Sequence, residues 1–144
     1  MQIKDVMTKG PLSVRGDGTI QEAAAGMRSE GIGALPVVNT NDQLIGMVTD
    51  RDITIRAVAE GFGPETVVEK VMTRRLIAAE ASKELEHALS VMGEHQIRRL
   101  PVVDGERLVG ILAQADIAAV TDPLQVAETL RRLSEPAASE VESR

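Results

Sequence analysis

Two polar residues three positions apart, Thr49 and Asp52, offer the most specific binding chemistry in this sequence. A carboxylate can accept hydrogen bonds from both hydroxyls of a ribose diol, and each such bond contributes roughly 1.5–3 kcal/mol. The Thr49 hydroxyl and the amides of a following helix could hold a phosphate. The same Thr-x-x-Asp spacing is also a capping box, which would only start a helix. The two residues by themselves leave both interpretations open.

Two adjacent arginines, Arg98 and Arg99, are the second candidate for contacting a ligand. On a strand their side chains point to opposite faces, so we expect one of the two to face a binding cleft. A solvated surface pair is the competing interpretation, because charged side chains are common on edge strands.

No catalytic motif accompanies these residues, so we expect a protein that is not an enzyme. The chain has no cysteine, and it contains no P-loop, Gly-x-Ser-x-Gly or Gly-x-Gly-x-x-Gly pattern. His87 and His95 lack the spacing of a zinc-binding motif, so we expect no metal site. Asp50 and Asp52 could hold Mg²⁺ together with a bound polyphosphate, although the charge of Asp50 more readily favours a helix N-terminus.

Composition and charge narrow the range of partners. The 144 residues carry a net charge of −6, with 16 basic against 22 acidic side chains, which opposes binding to nucleic acid. Aromatic residues make up 1% of the chain, so stacking on bases is not available. The polar first residues do not form a secretory signal, and no apolar run reaches the ~20 residues of a membrane helix. We therefore expect a cytoplasmic protein with no membrane partner.

The sequence is an internal repeat. Val6-Met7-Thr8 recurs as Val71-Met72-Thr73, and Leu35-Pro36-Val37-Val38 recurs as Leu100-Pro101-Val102-Val103, both displaced by 65 positions. After the loss of one residue in a turn, the displacement becomes 64, and the following residues match their counterparts in the second copy: Leu44, Gly46, Asp52 and Ile53. The period is too long for a solenoid unit, so these are two copies of one small domain.

Each copy predicts the same elements: a short strand, a helix, two strands joined by a polar turn, and a second helix. In the first copy we expect an extended stretch over 12–14, strands over 34–38 and 44–48, and a second helix that starts near Asp50. The first helix opens at Thr19, with Glu22 completing a capping box, and ends at Gly31.

In the second copy the same reasoning places an extended stretch over 77–79 and strands over 100–103 and 108–112. Ser82 is the expected cap of its first helix, and its second helix starts near Gln114.

The fold class is therefore α/β (α+β), with two repeats of β-α-β-β-α order. A three-stranded sheet with two helices cannot cover both of its faces, so we expect the repeats to pack sheet to sheet with pseudo-twofold symmetry. The expected domains are residues 1–62 and 63–122, followed by a helix over 123–133 and a disordered tail over 134–144.

These residues resemble the CBS-domain family. The resemblance rests on the Val-Met-Thr opening, the Leu-Pro-Val-Val strand and the run from Gly46 to Ile53, which follows the family's Gly-apolar-x-Ser/Thr-x-x-Asp signature. It covers residues 1 to about 120 and implies a homodimer of CBS pairs, or Bateman modules, with nucleotide clefts between paired repeats. The sequences of residues 31–36, 49–52 and 94–99 are more similar still to stand-alone pairs of the actinobacterial hypoxic response type, and this resemblance implies a role in a stress response.

The resemblance favours ligand binding by Thr49 and Asp52 and implies that Arg98 or Arg99 reaches the phosphates. The second copy keeps Asp116 but has alanine at 113, where the first copy has threonine. We therefore predict one main site for each chain and a weaker or empty site at Asp116. By resemblance, adenine would lie against Leu76, Ile77 and Ile97 in the main site, and against Leu12, Ile32 and Ala34 in the weaker one.

The leading hypothesis is a regulatory module that senses an adenine nucleotide (AMP, ADP, ATP or a related adenosyl ligand), needs no other cofactor, and signals to an unknown effector protein by a conformational change. The alternative is a structural or protein-interaction module without a physiological nucleotide, which Ala113 favours. An enzyme would need an activated nucleophile or a carboxylate pair in an apolar setting, and neither is evident in the sequence.

Overall fold

The structure of the protein, a computed structural model, describes residues 1–120 and 123–134. Within these residues the strands are β1 Thr8–Lys9, β2 Val14–Arg15, β3 Ala34–Val38, β4 Leu44–Thr49, β5 Ala79–Glu80, β6 Arg99–Asp104 and β7 Arg107–Ala113. The helices are α1 Ile20–Glu30, α2 Asp50–Ile53 with a π-helical continuation Thr54–Val58, α3 Leu85–His95, α4 Gln114–Ala118 and α5 Pro123–Ser134. None of them is both long and apolar enough to cross a membrane.

The chain forms two compact units whose boundaries differ from those of the sequence repeats. The repeat-1 unit consists of Pro11–Leu76 together with the short turn Gly105–Leu108. The repeat-2 unit consists of Met1–Gly10, Ile77–Asp104 and the described residues from Val109 onward. Each unit therefore contains most of one repeat and the Val-Met-Thr opening of the other.

The repeat-1 unit is a three-stranded sheet in the order β2-β3-β4 with α1 packed against it. β2 runs parallel to β3, and β3 forms an antiparallel hairpin with β4 in which Leu35 lies opposite Val48. As predicted, Thr19 caps α1 by accepting a hydrogen bond from the Glu22 amide at 3.2 Å. Gly31 ends the helix in the left-handed conformation at φ 66°, which glycine adopts without a steric cost.

The repeat-2 unit has a four-stranded sheet in the order β1-β7-β6-β5, one strand more than the sequence indicates. The additional strand is β1, which pairs antiparallel with β7 so that Thr8 lies opposite Ile111. The matching residue in the other unit, Thr73, makes only an isolated bridge to Met47. The two sheets thus differ because one opening segment forms a strand and the other a single bridge.

The expected cap of α3 at Ser82 is wrong, because the helix begins later, at Leu85, after Glu84. The first residues of the chain explain the shift. The Ile3 amide donates to the Lys83 carbonyl, and the Leu85 amide donates to the Met1 carbonyl at 3.0 Å. Backbone pairing with the N-terminal segment therefore keeps Glu84 extended and satisfies a helix N–H group that a side-chain cap would otherwise serve.

The opening segments complete the cores of the units that they join. Ile3 is fully buried in the repeat-2 unit, and Val68 and Val71 are fully buried in the repeat-1 unit. A glycine in each hairpin leaves room for this packing. A methyl group on Gly46 would lie 2.7 Å from the Thr73 carbonyl oxygen, and one on Gly110 would lie 3.0 Å from that of Thr8.

At the end of the described chain, α5 packs along α3 in the repeat-2 unit. Gly93 on α3 allows the guanidinium group of Arg132 to approach, and the Gln96 side chain donates to the Arg132 carbonyl at 3.0 Å. The structure therefore has a helix where the sequence places one. The expected disordered tail would begin at Ser134, which is the last residue of α5, and residues 135–144 lie outside the described part of the chain.

The close approach of the Thr73 carbonyl to Gly46 leads to a prediction about stability. We expect Gly46→Ala to lower the free energy of unfolding by about 1–3 kcal/mol, because the new methyl group meets backbone that cannot move away cheaply. Gly63→Ala is the control, since its methyl group would meet only the flexible end of the Glu65 side chain. Urea unfolding, monitored by circular dichroism, gives the free energy of unfolding of both variants. Equal losses in the two variants would contradict the packing argument.

Candidate functional site

Thr49 and Asp52 form a complete capping box at the start of α2. The Thr49 hydroxyl accepts a hydrogen bond from the Asp52 amide at 3.0 Å, and Asp52 Oδ2 accepts one from the Thr49 amide at 3.0 Å. The Asp52 side chain is 12% exposed. The pair therefore caps the helix, as the capping-box interpretation predicts. Any binding role of Asp52 must use the acceptor positions that the capping box leaves unoccupied.

Two further residues surround the Asp52 carboxylate. The Thr73 hydroxyl lies 3.4 and 3.5 Å from its two oxygens, and Arg56 Nε lies 3.8 Å from Oδ1. Neither contact was predicted from the sequence. Thr73 carried a signal, because it belongs to the repeated Val-Met-Thr motif, whereas Arg56 has no counterpart in the second copy, where Val120 stands.

The second copy forms only half of this arrangement. Asp116 Oδ2 accepts a hydrogen bond from the Ala113 amide at 2.8 Å, as Asp52 does from Thr49. Ala113 has no side-chain acceptor to return the bond, although its backbone has the extended cap conformation with φ −97° and ψ 157°. Asp116 therefore has a structural reason to be present that is independent of any ligand.

Arg99 begins β6 in the repeat-2 unit and Arg98 directly precedes it, and both are exposed. Arg98 Nη1 lies 3.5 Å from the Gln114 side-chain oxygen, a long hydrogen bond. No ion pair in residues 1–120 and 123–134 involves either arginine. Both guanidinium groups thus keep donors that could bind an anion.

The corresponding position in the repeat-1 unit carries the opposite charge. Gly33 matches Arg98, and Asp50 matches Gln114 in the repeat register. The Asp50 carboxylate lies so close to Gly33 that a methyl group there would be 2.9 Å from its oxygen. This position therefore presents an anion in the repeat-1 unit and a cation in the repeat-2 unit.

The residues expected to contact adenine fall in both units. Leu76 is exposed at the end of the main segment of the repeat-1 unit, while Ile77 and Ile97 pack against the core of the repeat-2 unit. Among the residues expected to contact adenine in the weaker site, Ile32 packs against the core of the repeat-1 unit, Ala34 begins β3, and Leu12 is exposed.

A cavity of about 610 Å³ opens beside Leu12 in the repeat-1 unit. Its lining comes from the segment 12–18, from one face of α1 and from Leu35 of β3. Arg15 and Glu22 give it charged walls of both signs, but neither Thr49 nor Asp52 contributes to it. The cavity therefore does not coincide with the main candidate site.

The described residues contain no group of three or more His, Cys, Asp or Glu side chains placed to hold a metal ion. Asp50 and Asp52, the pair considered for Mg²⁺, have different partners. Asp50 Oδ1 accepts from the Arg51 amide at 2.8 Å, whereas Asp52 takes part in the capping box with Thr49.

Comparison with known proteins identifies the class of fold. The CBS-domain family model matches residues 3–58 and 68–122, and the chain belongs to the CBS-domain family as a tandem pair of CBS domains. It is 46% identical over 116 residues to the CBS domain-containing protein YhcV of Bacillus subtilis, covering 81% of this chain and 82% of that protein. It is 43% identical over 116 residues to Hypoxic response protein 1 of Mycobacterium tuberculosis, covering 80% and 81%.

Three crystal structures support the same conclusion. Hypoxic Response Protein I, with two coordinated zinc ions, has a TM-score of 0.77 at 39% identity, covering 85% of this chain and 100% of that one. CBSX2 in complex with AMP has a TM-score of 0.72 at 27% identity, covering 88% and 98%. The CBS pair of MJ0100 with 5′-methylthioadenosine and S-adenosyl-L-methionine has a TM-score of 0.70 at 31% identity, covering 83% and 94%. The predicted family and mixed α/β fold are confirmed.

The incomplete capping box in the second copy generates a prediction. We expect Ala113→Thr to raise the free energy of unfolding by about 1 kcal/mol, because the residue already has the cap conformation and lacks only the hydroxyl acceptor. Thr49→Ala should lower it by a similar amount. Denaturant titrations of both variants test the pair, and a neutral Ala113→Thr would show that the half box does not limit stability.

Proposed function

We propose that this CBS pair is a regulatory, non-enzymatic module that binds an adenine nucleotide or a related adenosyl compound and signals its presence to an effector protein. Thr49 and Asp52 would hold the ribose and the adjoining phosphate, and Arg98 or Arg99 would contact the phosphates. The ligand would lie in the cleft that the family resemblance assigns to paired repeats, against Leu76, Ile77 and Ile97. A second ligand at Asp116 would bind more weakly.

The observation that carries the proposal is the uneven use of the two Asp52 oxygens. Oδ2 accepts a 3.0 Å hydrogen bond from the Thr49 amide, whereas Oδ1 has only contacts of 3.5 Å or longer. An ionised carboxylate offers about four acceptor positions, so Asp52 can hold its helix and still accept from a ribose hydroxyl. The AMP, methylthioadenosine and S-adenosylmethionine complexes of related CBS pairs support the adenosyl class of ligand.

The charges in the two units support an uneven pair of sites. The repeat-2 unit offers two arginines without ion pairs in the described chain, and the repeat-1 unit has a carboxylate over Gly33 at the matching position. A phosphate gains charge-assisted hydrogen bonds from the first arrangement and is repelled by the second. We therefore assign nucleotide phosphates to Arg98 and Arg99. The Asp116 site would have no such cation, because Gly33 and Asp50 stand at the matching positions of the first copy.

One observation favours the alternative, an interaction module without a nucleotide. Thr49 and Asp52 are fully accounted for as a helix cap, and Asp116 is kept in the second copy where its threonine partner is absent. A module of this kind would be indifferent to adenosyl compounds and would act only through a protein partner.

Thermal unfolding with AMP, ADP, ATP and S-adenosylmethionine separates the two functions, using circular dichroism because the chain has no Trp or Tyr. A ligand at 100 times its dissociation constant adds about 2.7 kcal/mol of stability, a shift of several degrees for a domain of this size. We expect the shift in the wild type to be lost in Asp52→Asn, which retains an acceptor for the cap but not the charge. Repeating the ATP scan with and without Mg²⁺ tests a metal-bridged polyphosphate.

Asp116→Asn is the matched control and should retain nearly the full shift. Loss of the shift in Asp116→Asn but not in Asp52→Asn would reverse the assignment of the two sites. No shift for the wild type with any ligand at millimolar concentration would replace the sensor with the interaction module.

We also propose that two copies of the chain associate, and we assign the contact to an apolar surface made of Ile55, Val58 and Phe62 in the repeat-1 unit. These side chains are 50%, 65% and 37% exposed within one short segment. Exposed apolar residues grouped in this way mark a contact surface more often than scattered ones do.

The apolar surface predicts the effect of a single charge. Val58→Glu should shift the protein from dimer to monomer, because a carboxylate would have to be buried in the contact without a partner. Leu124→Glu, which changes a still more exposed side chain that does not belong to this surface, should leave the dimer intact. Sedimentation velocity measures the oligomeric state of both variants and of the wild type, and a monomeric wild type would refute the proposal.

A further inference from the structure

Arg56 links three parts of the repeat-1 unit. It lies one helical turn after Asp52, in the π-helical continuation of α2. Its Nη1 group donates to the Met72 carbonyl at 3.2 Å and to the Val71 carbonyl at 3.4 Å. Its Nε group lies 3.8 Å from Asp52 Oδ1. One guanidinium group thus contacts the helix carboxylate and the opening segment of the second repeat together.

The contact falls on the oxygen that the capping box leaves available. Oδ2 of Asp52 is held by the Thr49 amide at 3.0 Å, whereas Oδ1 is approached only by the Thr73 hydroxyl at 3.5 Å and by Arg56 at 3.8 Å. Thr73 is itself placed by paired backbone hydrogen bonds with Met47, of 2.8 and 2.9 Å. The direction in which Oδ1 points therefore depends on Arg56 and on the segment that Arg56 holds.

The second copy lacks this support. Val120 stands 64 positions after Arg56, in the register that aligns Asp116 with Asp52. Within residues 1–120 and 123–134, the hydrogen bond that reaches the Asp116 carboxylate is the one from the Ala113 amide. The same aspartate is thus held by its helix alone in one copy, and by its helix, an arginine and a threonine in the other.

We propose that Arg56 is a positioning residue of the ribose site, which holds Asp52 Oδ1 and the Val71–Thr73 segment in place without touching the ligand. A fixed planar guanidinium group is suited to this task because it can donate to backbone carbonyls and lie beside a carboxylate at once. A carboxylate that is already oriented loses less conformational entropy when a diol binds to it. The inference rests on the proposed function and deepens it, since it adds a second reason for one copy to bind more tightly.

The competing role for Arg56 is direct contact with a phosphate, and the two roles differ in how they depend on the ligand. A residue that acts through Asp52 influences only the ribose, so its loss should weaken adenosine and AMP by the same factor. A residue that contacts phosphate should affect AMP and leave adenosine unchanged.

The experiment is titration calorimetry of adenosine and AMP with the full chain, for the wild type, Arg56→Val and Arg56→Lys. Arg56→Val copies the residue of the second repeat, and Val120→Ala is the matched control there. We expect Arg56→Val to weaken both ligands equally, by about three- to tenfold, because the contact is long and partly solvated. Arg56→Lys should recover part of the loss, since its ammonium can donate to the carbonyls but lacks the second nitrogen that lies beside Asp52 Oδ1, and Val120→Ala should match the wild type.

Ligand-free amide exchange gives a second measurement that does not depend on binding. Arg56→Val, or Arg56→Lys if the valine variant does not fold, should speed exchange of the Thr73 and Met47 amides, while Val120→Ala should not. A loss confined to AMP, or unchanged affinities in Arg56→Val, would overturn the positioning role and leave the proposed function standing. A wild type that binds neither adenosine nor AMP would contradict both the positioning role of Arg56 and the proposed function.

Discussion

The structure depends on one packing constraint: the core of each repeat is closed by the segment that opens the other. Ile3 fills the repeat-2 unit, and Val68 and Val71 fill the repeat-1 unit, all without exposure to solvent. The segments also supply backbone partners, because Thr8 pairs with β7 and Thr73 pairs with Met47. A small sheet with two helices has too little apolar surface of its own, so neither repeat would retain a complete core as an isolated stretch of sequence. The duplication is for this reason a requirement of folding as well as a feature of the sequence.

The same constraint brings the candidate site together. Asp52 belongs to the helix that follows the hairpin, and Thr73 belongs to the segment that closes the core, yet the two side chains meet at 3.4 Å. Arg56 reinforces the junction by binding the carbonyls of Val71 and Met72. Under the proposed function, a ligand hydroxyl at Asp52 would therefore share the carboxylate with the segment that contains Thr73.

The sequence was sufficient for several features that local chemistry decides. The capping box at Thr19, the left-handed end of α1 at Gly31 and the hairpins follow from residue type and spacing, and the structure has them. Two of the features that failed or were missed are decided by distant chain. Ser82 does not cap α3, because the Met1 carbonyl already serves the Leu85 amide. Thr73 reaches Asp52 only through the exchange of opening segments, which is not evident when each repeat is considered separately. Arg56 is different, because it lies four residues after Asp52 on the same helical stretch, a local spacing that was overlooked.

The comparison of the two copies separates what the backbone requires from what a ligand would require. Both keep the aspartate, which caps a helix in each, and both keep a glycine where the opening segment passes. They differ at 49 and 113, at 33 and 98, and at 56 and 120. An aspartate that caps its helix is therefore weak evidence for a binding site by itself. The stronger support for the proposed function is the divergence around it, because the threonine hydroxyl, the exposed arginine pair and the Arg56 guanidinium group each occur in one copy alone and would suit a phosphoribosyl compound as well as they serve the fold.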